Sequence, residues 1–131
     1  MSLVTDKKYK LATSDKFDEY MKALGVGLVT RKMGNTVSPV VELTKNGDEF
    51  CLTSQSTFKN TAINFKLGQE FDQETPDGRK VKSVITQDGS KLVEVQKGDK
   101  ETTIIRDFSN DEIKMTLTVD DIVCTRIYKA C

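Results

Sequence analysis

From Asp77 onward, turn-forming pairs recur about every ten to twelve residues: Asp77-Gly78, Asp88-Gly89, Gly98-Asp99, Asn110-Asp111 and Asp120-Asp121. Asn46-Gly47 has the same character earlier in the chain. Asn-Gly and Asp-Gly supply the positive φ that tight hairpins require. This spacing leaves room only for short strands, each turning back on the one before. It predicts an antiparallel meander, closed as a sandwich or a barrel.

The segments between the turns alternate as such strands must. Ile113, Met115, Leu117 and Val119 share one parity, and Lys114, Thr116 and Thr118 the other. Period 2 means one buried face and one wet face. Thr61, Ile63 and Phe65 form a second inward set beside Asn60, Asn64 and Lys66. Residues 37–43 and 49–54 read as two strands around Asn46-Gly47, and residues 7–12 as the first strand.

One region departs from period 2. Phe17, Tyr20, Met21 and Leu24 fall at i, i+3, i+4 and i+7, a helical stripe with Ser14 or Asp15 as N-cap and Gly25 as C-cap. Val26, Val29 and Met33 make a shorter stripe ended by Gly34-Asn35. A helix pair therefore interrupts an otherwise all-β chain after its first strand. Closing the sheet removes edges that would otherwise aggregate, and the helix pair is placed to cap one open end. A barrel of about eight or more strands holds a small ligand.

Composition narrows the chemistry. The 131 residues read as one domain, 1–131, with no linker. Acidic and basic residues balance at 20 each, so no whole-molecule charge favours nucleic acid. There is no histidine, which excludes histidine-dependent triads and HExxH metalloproteases. Cys51, Cys124 and Cys131 are odd in number and widely spaced, neither a disulfide framework nor a zinc pattern. With no signal-peptide run near the N-terminus and no Asn-X-Ser/Thr site, the expected setting is reduced and cytoplasmic.

Two strands carry an ambiguity. In 122–130, Ile122, Cys124, Arg126 and Tyr128 share one face, and Val123, Thr125, Ile127 and Lys129 the other. In 102–108, Thr102, Ile104, Arg106 and Phe108 oppose Thr103, Ile105 and Asp107. Arginines commonly face solvent. If Arg106 and Arg126 instead point inward, they demand an anion, because a buried unpaired guanidinium costs several kcal/mol. The guanidinium fork matches a carboxylate, and the Tyr128 hydroxyl is able to donate to the same group. Pattern alone leaves both readings open.

Several blocks resemble the cytoplasmic fatty acid-binding proteins, a family that includes cellular retinoid-binding proteins. They are Tyr9-Lys10-Leu11, residues 17–27, Ser56-Thr57-Phe58-Lys59-Asn60-Thr61, Phe65-Lys66-Leu67-Gly68, residues 78–83 and Cys124-Thr125-Arg126-Ile127-Tyr128. Together they span essentially the whole chain, in the flavour of the heart and muscle group and its invertebrate relatives. Lys7-Lys8-Tyr9 replaces the more usual Gly-X-Trp opening.

The resemblance implies a ten-stranded antiparallel up-and-down β-barrel of the lipocalin-like (calycin) class, closed by a helix-turn-helix lid. It implies a monomeric, non-enzymatic intracellular carrier of a long-chain fatty acid, without cofactor or metal. Arg126 and Tyr128 are then the direct carboxylate ligands, with Arg106 reaching it directly or through water. Tyr20, Met33, Thr36, Pro39, Val41, Thr53, Phe58, Asp77, Arg79, Gln96 and Leu117 match cavity or portal positions, Phe58 being the portal phenylalanine. The entry gap is expected between the second helix, the 53–58 turn and the 71–77 turn. Glu94 shares parity with Leu92 and Gln96; pointing inward it is neutral or paired, through water to Arg79, in an internal polar network. Lys22, Arg31 and Lys32 cluster on the helix pair, a solvated face or a contact for anionic membranes or nuclear import machinery. The alternatives are a retinoic or other isoprenoid-acid carrier of the same fold and, remotely, a lipid-modifying enzyme using Cys51 or Cys124.

Overall fold

A computed structural model of the chain describes residues 3–75 and 78–131. Its elements run β1 (Lys8–Asp15), α1 (Phe17–Ala23), α2 (Leu28–Thr36), β2 (Val40–Asn46), β3 (Glu49–Gln55), β4 (Thr61–Lys66) and β5 (Phe71–Glu74). They continue as β6 (Lys80–Asp88), β7 (Lys91–Lys97), β8 (Thr102–Phe108), β9 (Glu112–Val119) and β10 (Ile122–Ala130). The ten strands form one antiparallel sheet in the order β4-β3-β2-β1-β10-β9-β8-β7-β6-β5. Each hairpin is a sequence neighbour, except that β1 pairs with β10. The sheet curls into a nearly closed barrel whose two ladder ends are β4 and β5.

At that seam aromatic packing stands where the ladder stops. The rings of Phe65 on β4 and Phe71 on β5 stack with centroids 6.1 Å apart. In the β4–β5 connection, the Gly68 N–H donates to the Ile85 carbonyl at 2.9 Å. Gly68 takes a positive φ of 76°, which a side chain would resist.

The core is divided. One cluster gathers Tyr9, Leu43, Phe50, Phe65, Ile85, Leu92, Phe108 and Ile113. A second, under the helices, gathers Tyr20, Met21, Val26, Ile104, Leu117, Val119 and Cys124. Tyr9 is fully buried, its ring edge-on to Phe108 and its hydroxyl donating to the Ser109 carbonyl at 2.7 Å. Tyrosine thus fills the unusual opening position with its polar tip satisfied.

The helical region departs from the sequence expectation at its boundaries. β1 runs on through Ser14 and Asp15, with a register shift between Leu11 and Thr13, so neither residue caps α1. Lys16 occupies the N-cap with φ 63°, and no side chain caps the helix. α2 runs through Gly34 and Asn35 instead of stopping there. A Cβ on Gly34 would sit 3.2 Å from Met21 Sδ and 3.5 Å from the Phe17 ring, so α2 lies close over α1 at this glycine. The stripe expected on α2 is not a core face: Val29 is 75% exposed and Met33 41%, while Val26, before the helix, is buried. β2 begins at Val40 rather than Val37, since Pro39 has no N–H to give a ladder and only its carbonyl accepts, from Leu11.

Candidate ligand-binding site

The ambiguous strands resolve with their arginines inward. On β10, Cys124, Arg126 and Tyr128 are buried, whereas Val123 and Lys129 are exposed. On β8, Thr102, Ile104 and Phe108 are buried, with Arg106 on their face. Met115 of β9 stands opposite Arg106 on one side and Arg126 on the other, so the two arginines flank it on alternate strands. Arg106, Arg126, Tyr128 and Met115 line a cavity of about 230 Å³ between the barrel wall and the helices.

Arg106 and Arg126 have different partners. Arg106 Nη1 donates to Glu94 Oε1 at 2.7 Å, and the Glu94 side chain is fully buried. Gln96 Nε2 donates to Glu94 Oε2 at 2.8 Å, and the Thr102 hydroxyl donates to Gln96 Oε1 at 3.0 Å. Both oxygens of Glu94 are therefore occupied, which a buried carboxylate requires. The inward, networked Glu94 follows the sequence reading, and the cation in direct contact with it is Arg106. Among the described residues Arg126 has no such anion: its Nε is buried without a hydrogen-bond partner. Its guanidinium lies instead over two rings, 3.9 Å from the Phe17 centroid and 5.8 Å from that of Tyr128.

Of the remaining cavity positions read from the sequence, Tyr20, Pro39, Val41, Phe58, Arg79, Gln96 and Leu117 line the cavity. Met33, Thr36 and Thr53 do not. Met33 faces outward on α2, and Thr36 is exposed with its hydroxyl on the Met33 carbonyl. Thr53 has the wrong parity, lying between the inward Leu52 and Ser54 with its hydroxyl toward the Glu42 carbonyl. Asp77 lies outside the described residues. Phe17 was not among the expected contacts; its helical spacing marked only a buried stripe, yet it lines the cavity against Arg126.

The lining reaches the surface where entry was expected. Thr30 and Gly34 of α2 line the cavity together with Ser56, Phe58 and Lys59 of the β3–β4 turn, and Thr75 and Arg79 beyond β5. Residues 71–74 form β5 itself, so the turn on this side begins only after them. Arg31 is not a free lid base. It pairs with Asp18 at 3.2 Å and donates to the Val26 carbonyl at 2.7 Å, tying α2 to α1 and its connection. Lys22 and Lys32 are exposed.

Cys124 is a poor nucleophile. Burial pushes its thiol up from 9.0 to about 11, with Asp15 and Glu19 adding to the rise and Arg126 opposing it. The thiolate is the reactive form, so little is present near neutrality.

Ten antiparallel strands around a helix-capped internal cavity, with a buried arginine in its wall, define the lipocalin class of internal-ligand barrels. The chain belongs to the lipocalin / cytosolic fatty-acid binding protein family, whose model matches residues 7–130. It is 58% identical over 125 residues to the muscle fatty acid-binding protein of Schistocerca gregaria, covering 94% of this chain and 93% of that one. A crystal structure of the fatty acid-binding protein from Drosophila melanogaster brain is 63% identical, with a TM-score of 0.92, covering 96% of this chain and 98% of that one. A Schistosoma mansoni fatty acid-binding protein in complex with arachidonic acid is 44% identical, with a TM-score of 0.93, covering 95% and 94%.

Proposed function

We propose that this chain is a reversible intracellular carrier of long-chain fatty acids in the cytoplasm, not an enzyme. The observation that carries this reading is Arg126, a buried cation with an unpartnered Nε in the wall of a largely apolar cavity. The ligand carboxylate meets Arg126 and the Tyr128 hydroxyl, and its tail lies among Tyr20, Pro39, Val41, Phe58 and Leu117. Each buried methylene contributes about 0.8 kcal/mol, so the tail sets affinity and the head group sets orientation. Arg106, already paired with Glu94, stands on the far side of Met115 and is not a primary ligand. Exchange passes between α2 and the turns after β3 and β5, gated by local opening of the helices. Tight kinship to named fatty acid-binding proteins supports this reading.

The test is to extract the purified protein with organic solvent and identify the co-purifying lipid, alongside displacement of a fluorescent fatty acid. A straight-chain acid is expected. Retinoic acid would move the ligand to an isoprenoid acid of the same head-group chemistry. No extracted lipid together with no displacement would overturn the carrier reading.

The lid surface favours contact with anionic membranes during transfer. Leu28, Val29 and Met33 are exposed apolar side chains on α2, with exposed Lys32 on the same helix and Lys22 on α1. Apolar side chains enter the headgroup boundary while lysines meet lipid charge.

A further inference from the structure

The polar network inside the barrel contains more charge than a simple acid-binding site needs. Glu94 is fully buried, and both of its oxygens are bound, one by Arg106 and one by Gln96, itself held by Thr102. Arg106 and Arg126 both lie opposite Met115 in register, two interstrand spacings or roughly 10 Å apart along the sheet. Without Glu94, the wall would present two uncompensated guanidinium groups on either side of one methionine. With it, Arg106 is neutralised and Arg126 alone keeps an unpartnered, buried Nε among the described residues.

This has a consequence for the head group. An anion brought to Arg106 also approaches the Glu94 carboxylate, and like charges repel strongly where water is excluded. Among the described residues, no buried carboxylate is in direct contact with Arg126 to repel the same anion there. Among Arg106, Arg126 and Glu94, one added negative charge completes the balance, and a second has no partner within this group. We propose that Glu94 is a specificity-determining residue: by holding Arg106 it restricts the cavity to head groups bearing a single negative charge and fixes that charge at Arg126. The inference rests on the acid-carrier reading above and deepens it.

The test compares two ligands of equal tail length, laurate and dodecyl phosphate, at about pH 8, where the phosphate monoester carries close to two charges. The wild-type protein is expected to bind laurate at least about tenfold more tightly, the scale of one charged hydrogen bond. Glu94→Gln frees Arg106, and the preference is expected to shift toward the phosphate by about tenfold or more. The double variant Glu94→Gln/Arg106→Gln exchanges the ion pair for neutral amides and is expected to return to the wild-type preference.

Equal or tighter binding of the phosphate by the wild-type protein overturns the proposal and needs no variant to fold. So does a Glu94→Gln protein that binds both ligands with an unchanged preference. A double variant that loses laurate as severely as Arg126→Gln would make Arg106 a primary ligand and also defeat it. Wild-type protein that binds neither ligand defeats the acid-carrier reading itself, a separately recognisable result.

Discussion

The guanidinium of Arg126, on the last strand, lies 3.9 Å from the centroid of the Phe17 ring, on the first turn of the first helix. Cation–π contact of this kind contributes about 0.5–2 kcal/mol, more where water is excluded. It joins the buried cation of the cavity wall to the element that covers the cavity. A carboxylate in the guanidinium plane, as proposed, would leave the stacked face free to keep this contact, so helix and ligand would hold the same group in different directions. Phe17→Ala should therefore lower fatty acid affinity by about two- to tenfold and speed release, as read by stopped-flow displacement. Unchanged release with unchanged affinity would uncouple the helix from the head group.

Arg126→Gln removes the charge but keeps a hydrogen-bonding side chain. Long-chain acids should bind about tenfold or more weakly, and matching alcohols nearly as before, because a charged hydrogen bond contributes about 1.5–3 kcal/mol. Calorimetry on an acid–alcohol pair of equal length reads the difference. Equal losses for both would remove the carboxylate from Arg126.

Stability should fall in alkali for a nameable reason. The folded Cys124 thiol titrates near 11, above its ordinary 9.0, so the fold favours the neutral form. That contribution is fully present below pH 9.0. As pH rises toward 11 the unfolded chain gives up this proton first, and the contribution is lost across that window. Burial raises Tyr9 in the same sense from its ordinary 10.0. Urea midpoints measured against pH should decline less steeply in Cys124→Ala than in the wild-type protein, and an identical slope would reject the assignment.

The bases of the helical lid should separate by role. Replacing Lys22 and Lys32 with glutamine, together with Val29→Asn, should slow ligand transfer to anionic vesicles with little loss of stability, since all three are exposed. Arg31→Gln should instead loosen the helices, because Arg31 bridges Asp18 and the Val26 carbonyl. A thermal melt and a vesicle-transfer assay together distinguish these outcomes. Unchanged transfer after the triple replacement would remove the membrane from the carrier's cycle.

Much of this was legible in the sequence where a single strand carries its own evidence. Alternation of Ile113, Met115, Leu117 and Val119 set the inward face of β9, and the buried pattern of that strand agrees. The inward face of β10 was not legible that way, because Ile127 and Val123 make its outer face apolar as well. Whole-chain resemblance decided it, and buried Cys124, Arg126 and Tyr128 agree.

What stayed hidden depends on register between strands. Glu94 stands opposite Ile104 and Arg106 opposite Leu92, so the two charges meet on a diagonal that no single strand displays. Arg79 was the other available cation, and nothing local to Glu94 chose between them. Phe17 was hidden for a different reason: a helical stripe announces burial but not whether the space beneath it is filled or hollow. Met33 erred in the opposite sense, an apolar residue at helical spacing that the short α2 turns to solvent.

The pairing of β1 with β10 means that the barrel wall is completed only by the last strand. Almost the whole chain is one loop until that contact forms, a closure of high contact order and correspondingly slow. Arg126 and Tyr128 ride on that same strand. The proposed head-group site and the finished wall thus come into existence in one event, and an incomplete barrel lacks both. Bound ligand then stabilises only finished molecules by mass action, so lipid supply would set how much of the carrier persists as well as how much is loaded.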